Sequence, residues 1–408
     1  MTAWRPYPQR RRHAFAVLAP LWLIFFCASV QLVIVAPVLP RIREELQLGA
    51  DSEPVLGLIG TSFAFSLTLV ALIAGALSDR LGRRAIILMG SSAMSVTLLL
   101  HEFAVTVELL ILMRGLSGAA AGLLTGSFAA YVGDYFPYDK RGRAIGWILS
   151  GFAAGWIIGI PAGAVMADRI GFAAPFVAFG WIMVVAFGLA LFFLPRPDVK
   201  LDDAPLSFPR VSAKYLSLLG RRQPGTTVLC YLLMYSCAGL FLYFLPTWLE
   251  EEVALSSTEV ASLFVVAGVS QVVGSPIAGR ISDHLGRKAL IVAASVCVCG
   301  SVGSVTLLVS GFATAMIFFG LAMIFDSFRA APMQALMSQL VPSDQRGAFF
   351  SLCNAIGQFG FGLGSALAGW LYVKAGYFSS SLAGAFCMAL SAIAIWVMIS
   401  EPEQKAPA

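Results

Sequence analysis

Long apolar runs separated by short polar segments recur along the whole chain. Twelve of them, at about 15–39, 54–77, 84–104, 107–132, 142–166, 172–194, 225–248, 258–281, 288–310, 312–337, 346–373 and 376–399, reach the roughly 20 residues that cross a bilayer as a helix. The apolar residues run on without ten-residue alternation, which predicts helices rather than the strands of a barrel. Local start signals agree with two of the boundaries. Asp51 and Ser52 precede Pro54, a good first-turn residue for the second span. Ser256 and Glu259 form an S-x-x-E capping box at the eighth.

The polar segments orient the spans. With the N-terminus inside, inside segments hold 21 Lys and Arg and outside segments hold 4, namely Arg41, Arg43, Arg169 and Lys374. That asymmetry predicts both termini in the cytoplasm. The longest inside segment, 195–224, reads as a linker, giving a six-helix unit over 1–194 and a second over 225–408.

Composition supports a membrane protein. Of 408 residues 59% are hydrophobic and 12% charged, and the mean hydropathy is +0.84. Soluble domains run nearer 25% charged, so lipid has to cover much of this surface. The net charge of +5 is dispersed over short loops and does not point to nucleic acid. All seven cysteines fall inside apolar runs and read as small fillers; Cys297 and Cys299 point to different helix faces, so neither a disulfide framework nor a metal site is expected. Arg10, Arg11 and Arg12 precede a run too long for a signal peptide and lacking a small-residue cleavage site, and it is kept as the first helix.

The two halves repeat. Gly75, Asp79, Gly82 and Arg83 recur 204 residues later as Gly279, Asp283, Gly286 and Arg287. Pro137, Arg141 and Gly142 recur at an offset of 205 as Pro342, Arg346 and Gly347. Leu39-Pro40 with Glu44-Glu45 recurs at 206 as Leu245-Pro246 with Glu250-Glu251. Three matches in order at nearly one offset indicate duplication. Parallel halves predict a pseudo-two-fold axis along the membrane normal, hence two pseudo-symmetric six-helix bundles in an all-α membrane protein.

The stretch G-A-L-S-D-R-L-G-R-R, Gly75 to Arg84, resembles the loop between the second and third helices of the major facilitator superfamily. R-G-L-S-G-A-A-A-G, Arg114 to Gly122, is similar to the fourth-helix motif of its proton-coupled members. Gly155, Gly159, Pro161 and Gly163 resemble the fifth-helix motif of its antiporters, although Ile160 intervenes where that motif sets proline directly after glycine. The resemblance covers nearly the whole chain, is specific for the superfamily, and extends to its bacterial drug–proton antiporter branch. It implies a cytoplasmic latch between the halves, with Gly75, Asp79, Arg80, Gly82 and Arg83 in one half, Asp283 and Arg287 in the other, and Asp134 and Arg141 as further members. Read from the residues alone, the same loops could serve only to anchor topology.

Three charges fall deep in spans: Arg114 in the fourth, and Asp326 and Arg329 in the tenth. Such charges are costly and usually face a cavity or a partner. Asp326 and Arg329 are three residues apart and share a helix face. Asp326 is read as the proton carrier, tuned by Arg329, with Arg114 setting the local field; the alternative is a self-neutralising static pair. Many drug–proton antiporters carry an acid nine residues before the proline that here is Pro40, whereas this chain has Gln31. Gln31, Trp156, Tyr231 and Tyr235 are candidates to line a substrate cavity, packing being the alternative.

Secondary active export of amphiphilic or drug-like molecules in exchange for protons, by alternating access, is the leading expectation. Proton-linked or facilitated transport of an organic anion or lysolipid is the alternative. No Walker motif occurs, so ATP drive is not expected. His13, His101 and His284 fall near span ends or loops, and no D-D-x-x-D or H-E-x-x-H occurs, which argues against an intramembrane enzyme. The expected partners are a small-molecule substrate, protons and the lipid bilayer; no cofactor or metal is expected, and the family expectation is a monomer in the inner membrane.

Overall fold

The computed structural model describes residues 11–49, 51–197, 201, 208–342 and 345–401. Of the basic residues counted for orientation, Arg5, Arg10, Lys200 and Lys405 lie outside them. The described chain is helical, with no strand among these residues. The first span is broken: α1 (Arg11–Val30) and α2 (Val35–Glu45) meet at 55°. Pro37 lies in the first turn of α2 and Pro40 inside it, and neither has an N–H to carry the α1 ladder onward. α3 (Glu53–Leu81) and α4 (Arg83–Leu99) follow, and a 3₁₀ turn, Leu100–Phe103, extends α4. The fourth span is α5 (Val107–Leu124) plus α6 (Ser127–Tyr135), interrupted by Gly126 in the left-handed region. In the fifth, α7 (Tyr138–Ala154) runs through a π-helical turn, Gly155–Gly159, into α8 (Ile160–Arg169). α9 (Ala174–Phe193) completes the first group.

A helix not foreseen from sequence, α10 (Phe208–Leu219), lies inside the segment read as a linker. Beyond it come α11 (Arg222–Leu242) with α12 (Leu245–Glu251), α13 (Ser257–Leu285), α14 (Arg287–Leu308), α15 (Phe312–Leu340) and α16 (Arg346–Met398). α16 is two helices joined across non-helical backbone at Ala375 and Gly376. Its 53 residues would span about 80 Å if straight, more than twice a hydrocarbon core. Counting it as two spans, and α1 with α2 as one, gives twelve crossings. The capping box at Ser256 is present: its hydroxyl accepts from the Glu259 N–H at 3.3 Å, and the Glu259 carboxylate accepts from the Ser256 N–H at 2.8 Å.

The repeat in sequence is a repeat in shape. α3 and α13 are each 29 residues long, and each ends at a glycine of positive φ and extended ψ, Gly82 (91°, 144°) and Gly286 (87°, 141°). That corner of backbone space is close to glycine-only and stricter than the left-handed helical cap the sequence suggests. Large apolar side chains such as Phe65, Leu69, Trp181, Phe192 and Trp396 remain exposed around the outside, where lipid covers them.

Twelve crossings place Arg11 and Glu401 on one side, here called the terminal side; the other is the distal side. The two six-helix groups meet along α3 against α16 and along the fifth span against α13. Toward the distal side this seam is tight. A Cβ on Gly57 would lie 2.6 Å from the Ser365 carbonyl oxygen, and one on Gly362 would lie 2.9 Å from the Ala64 methyl. Thr61 Oγ1 donates to the Gly362 carbonyl at 2.8 Å and Thr68 Oγ1 to that of Ala355 at 2.9 Å. Toward the terminal side the seam parts: a Cβ on Gly75, Gly142, Gly146, Gly279 or Gly347 would meet nothing within 4 Å. This is a conformation closed on the distal side.

Candidate functional site

Three clusters hold the chemistry. The first surrounds Arg114 on α5, 1% exposed. The break after α1 leaves the Gln31 carbonyl outside a regular ladder, and Arg114 Nη2 donates to it at 2.7 Å while Nη1 donates to Gln31 Oε1 at 3.1 Å. The guanidinium sits at the C-terminal, negative end of α1, where a cation is favoured. Its carbon lies 4.2 Å above the Phe63 ring and 5.6 Å from that of Phe176. Gln31 itself is fully enclosed. In this conformation it is the partner of Arg114 inside the first group. His101, read as a span-end residue, ends α4 as expected but is completely buried, stacked at 4.4 Å on Phe176 beside Arg114, with Nδ1 2.7 Å from the Thr97 carbonyl oxygen. Arg114→Lys keeps the charge but cannot bond both Gln31 oxygens while lying flat on Phe63. It is expected to cost about 1–3 kcal/mol of stability, the range for leaving buried polar groups unpaired, read as a lower thermal midpoint of the purified protein.

The second cluster sits in the other group. Asp326 and Arg329 form an ion pair on one face of α15. Gln271 Nε2 of α13 donates to Asp326 Oδ2 at 3.2 Å, and Arg329 Nη1 contacts Met234 Sδ of α11 at 2.7 Å. The Asp326 side chain is 23% exposed and that of Arg329 12%, so the pair stands at the edge of the packed interior and is reachable. Tyr231 and Tyr235 stack on each other at 6.0 Å, with Tyr235 against Gly357. Trp156, on the π-helical turn, lies across the seam against Gly268, one turn from Gln271 on α13, and its indole N–H has no partner among the described residues. Asp326, Arg329 and Arg114 therefore do not form one site: Arg114 stands apart, and its hydrogen bonds go to Gln31.

Among the described residues, Asp79, Arg83, Asp134, Asp283 and Arg287, expected to latch the halves, form their ion pairs within their own groups. Arg83 pairs with Asp79 and, through Nε, with Asp134 at 3.1 Å. Arg287 lies 4.0 Å from Asp283, and its N–H donates to Glu401 at 2.7 Å. Arg141 Nε donates to the Phe136 carbonyl at 3.0 Å. Gly75 and Arg80 lie in the last two turns of α3, where the seam has parted.

What does bridge the groups is a third cluster, on the distal side, that motif reading missed. Arg43 of α2 lies 3.1 Å from Glu53 of α3 and 3.0 Å from Glu251 of α12. Arg41 pairs with Glu44 and Asp168, and Asp168 accepts from Ser257 of α13 at 3.3 Å. Tyr372 Oη donates to Glu251 at 3.3 Å. A signal was present: Arg41 and Arg43 are two of only four outside basic residues, and the repeated Leu-Pro…Glu-Glu motif ends there.

A family model described as Major Facilitator Superfamily matches residues 21–225 and 227–408. Among curated proteins, a Bacillus subtilis (strain 168) protein described as the uncharacterized MFS-type transporter YceJ is 25% identical over 371 residues, covering 88% of this chain and 91% of its own. Multidrug resistance protein 2 of the same organism is 24% identical, covering 85% and 86%. The multidrug resistance protein MdtG of Salmonella typhi is 26% identical, covering 68% and 69%. Among solved structures, a D-xylose–proton symporter superposes with a TM-score of 0.75 over 95% of this chain and 98% of its own, at 14% identity, a likeness of fold.

Proposed function

The chain belongs to the Major Facilitator Superfamily, a family of multi-pass membrane transporters, and on that premise we propose that it exports amphiphilic or drug-like small molecules in exchange for protons by alternating access. The observation that carries this reading is the Asp326–Arg329 pair. Asp326 is the carboxylate placed deep in a span among the described residues, it is partly exposed, and its partners come from α13 and α15. A proton on Asp326 dissolves the ion pair, frees the Arg329 guanidinium and weakens the bond to Gln271. Proton binding is thereby tied to the packing of α15 on α13 and α11. The bacterial multidrug resistance relatives support the substrate class. The excess of basic residues in inside segments supports a bacterial inner-membrane protein with both termini cytoplasmic, which makes the present conformation closed to the outside. Asp79, Arg83 and Asp134 with Asp283 and Arg287 then act as the cytoplasmic latch of the opposite conformation, and Trp156, Tyr231 and Tyr235 face the substrate path.

A second reading, proton-linked or facilitated movement of an organic anion or lysolipid, is favoured by one observation. The three deep charges sum to +1, and the hydrogen bonds that Arg114 makes among the described residues go to the neutral oxygens of Gln31. The two readings separate in proteoliposomes holding a pH dye under an imposed pH gradient. Export by antiport predicts that lipophilic cations discharge the gradient; proton movement evoked by organic anions instead would replace it with the second reading.

A further inference from the structure

Glu53 is a buried acid that the exchange at Asp326 does not use. Its side chain is 4% exposed at the distal end of α3. One carboxylate oxygen faces Arg43, while the other, Oε2, is enclosed with no hydrogen-bond partner among the described residues. Its main chain is pinned by the second group, because a Cβ on Gly369 of α16 would collide with the Glu53 carbonyl oxygen. The charged and titratable groups that face it are Arg43 from α2, Asp51 from the preceding loop, Glu251 from α12 and Tyr372 from α16. Two carboxylates thus share the Arg43 guanidinium, Glu53 of its own group and Glu251 of the other, and the Arg43–Glu251 contact is an ion pair that crosses between the groups.

We propose that Glu53 is a second proton-binding site, on the distal face, and that its proton closes the distal gate. A charged carboxylate with an enclosed, unpaired oxygen is costly. A proton on Oε2 removes that charge and leaves Arg43 to Glu251, the strut between the groups. When the gate opens, water reaches Glu53 and the charged form is solvated. The proton is therefore a ligand of the closed gate, and a ligand shifts an equilibrium toward the state it binds better. The sign follows: acidification on the distal side closes the gate, and rising pH releases it. The inference rests on alternating access but not on Asp326.

Spin labels at Val105 and Ser310, exposed on distal loops of the two groups, report the gate by pulsed dipolar spectroscopy in a background where Cys297, Cys299 and Cys387 are serine. For one proton, the ratio of closed to open distances is expected to rise by up to about tenfold per unit of acidification. With Asp326→Asn in the background, so that Asp326 no longer titrates, Glu53→Gln is expected to be closed and indifferent to pH. Glu251→Gln, which removes the strut, is expected to be more open at every pH. Asp326→Asn alone is expected to keep a pH response of the distal gate, which adding Glu53→Gln then removes. A pH response surviving in the Glu53→Gln, Asp326→Asn double variant, none in the parent, no opening in Glu251→Gln, or no response left in Asp326→Asn would each overturn the proposal. Proton flux through Asp326, measured with the pH dye, stands or falls separately.

Discussion

Asp326→Asn is expected to abolish substrate-driven proton flux while leaving substrate self-exchange in place. The amide is close to isosteric, so Gln271 can still reach its oxygen, and the packing of α15 on α13 is kept. What is lost is the titrating group and the charge that holds Arg329. A positioned proton-transfer group typically contributes on the order of 100- to 10,000-fold, so coupled flux in proteoliposomes should fall by at least the lower figure. Exchange of labelled substrate across the membrane without a gradient should persist, because it needs only binding and reorientation. Coupled flux at the parental rate would remove Asp326 from the mechanism. Equal loss of self-exchange would make Asp326 a substrate-binding or structural group instead.

Gly118→Ala is expected to destabilise the protein more than any other single added methyl in the first group. A Cβ there would collide with the main chain of Phe63, and backbone cannot swing aside as a side chain can. Phe63 also floors the Arg114 guanidinium at 4.2 Å, so pushing α3 away from α5 disturbs the Gln31–Arg114 cluster too. Overpacking of a tight interior typically costs about 1–3 kcal/mol, occasionally more, and both effects act together here. The measurement is the thermal midpoint of the purified protein, with Gly75→Ala as the comparison. Gly75 meets nothing within 4 Å, so its variant should unfold at the parental temperature. Equal midpoints for the two would mean that the α3–α5 contact yields easily. Gly75→Ala should matter instead where the terminal ends of the groups come together, as a change in the balance of conformations.

The spans, the duplication and the turn glycines were legible because each has a local signal: apolar length, a fixed offset, or the φ requirement at Gly82 and Gly286. The breaks were harder. Pro37 and Pro40 could have announced the bend of the first span, but the apolar run continues through it. The π-helical turn at Gly155–Gly159 has the same composition as an α-helical one. α10 was hidden inside a segment read as polar linker. Arg114, Asp326 and Arg329 stood out because charges in lipid-length runs are rare, yet their partners did not. Gln31 and Arg114 are 83 residues apart, and Arg43 and Glu251 are 208 apart. No spacing rule reports such pairs, so the distal cluster emerged only from the fold. The reverse happened at Asp79 and Asp283, where a motif drew attention to residues that in this conformation bond only within their own groups.

The last two spans are joined by little more than Ala375 and Gly376, the latter at φ 67°. A connection that short keeps the two helices side by side, and they are expected to settle in the bilayer together as a hairpin. Lys374, the basic residue beside the bend, stands at its distal tip. Insertion is therefore expected as a paired step: a chain stopped between residues 375 and 398 would leave a helix with no return limb.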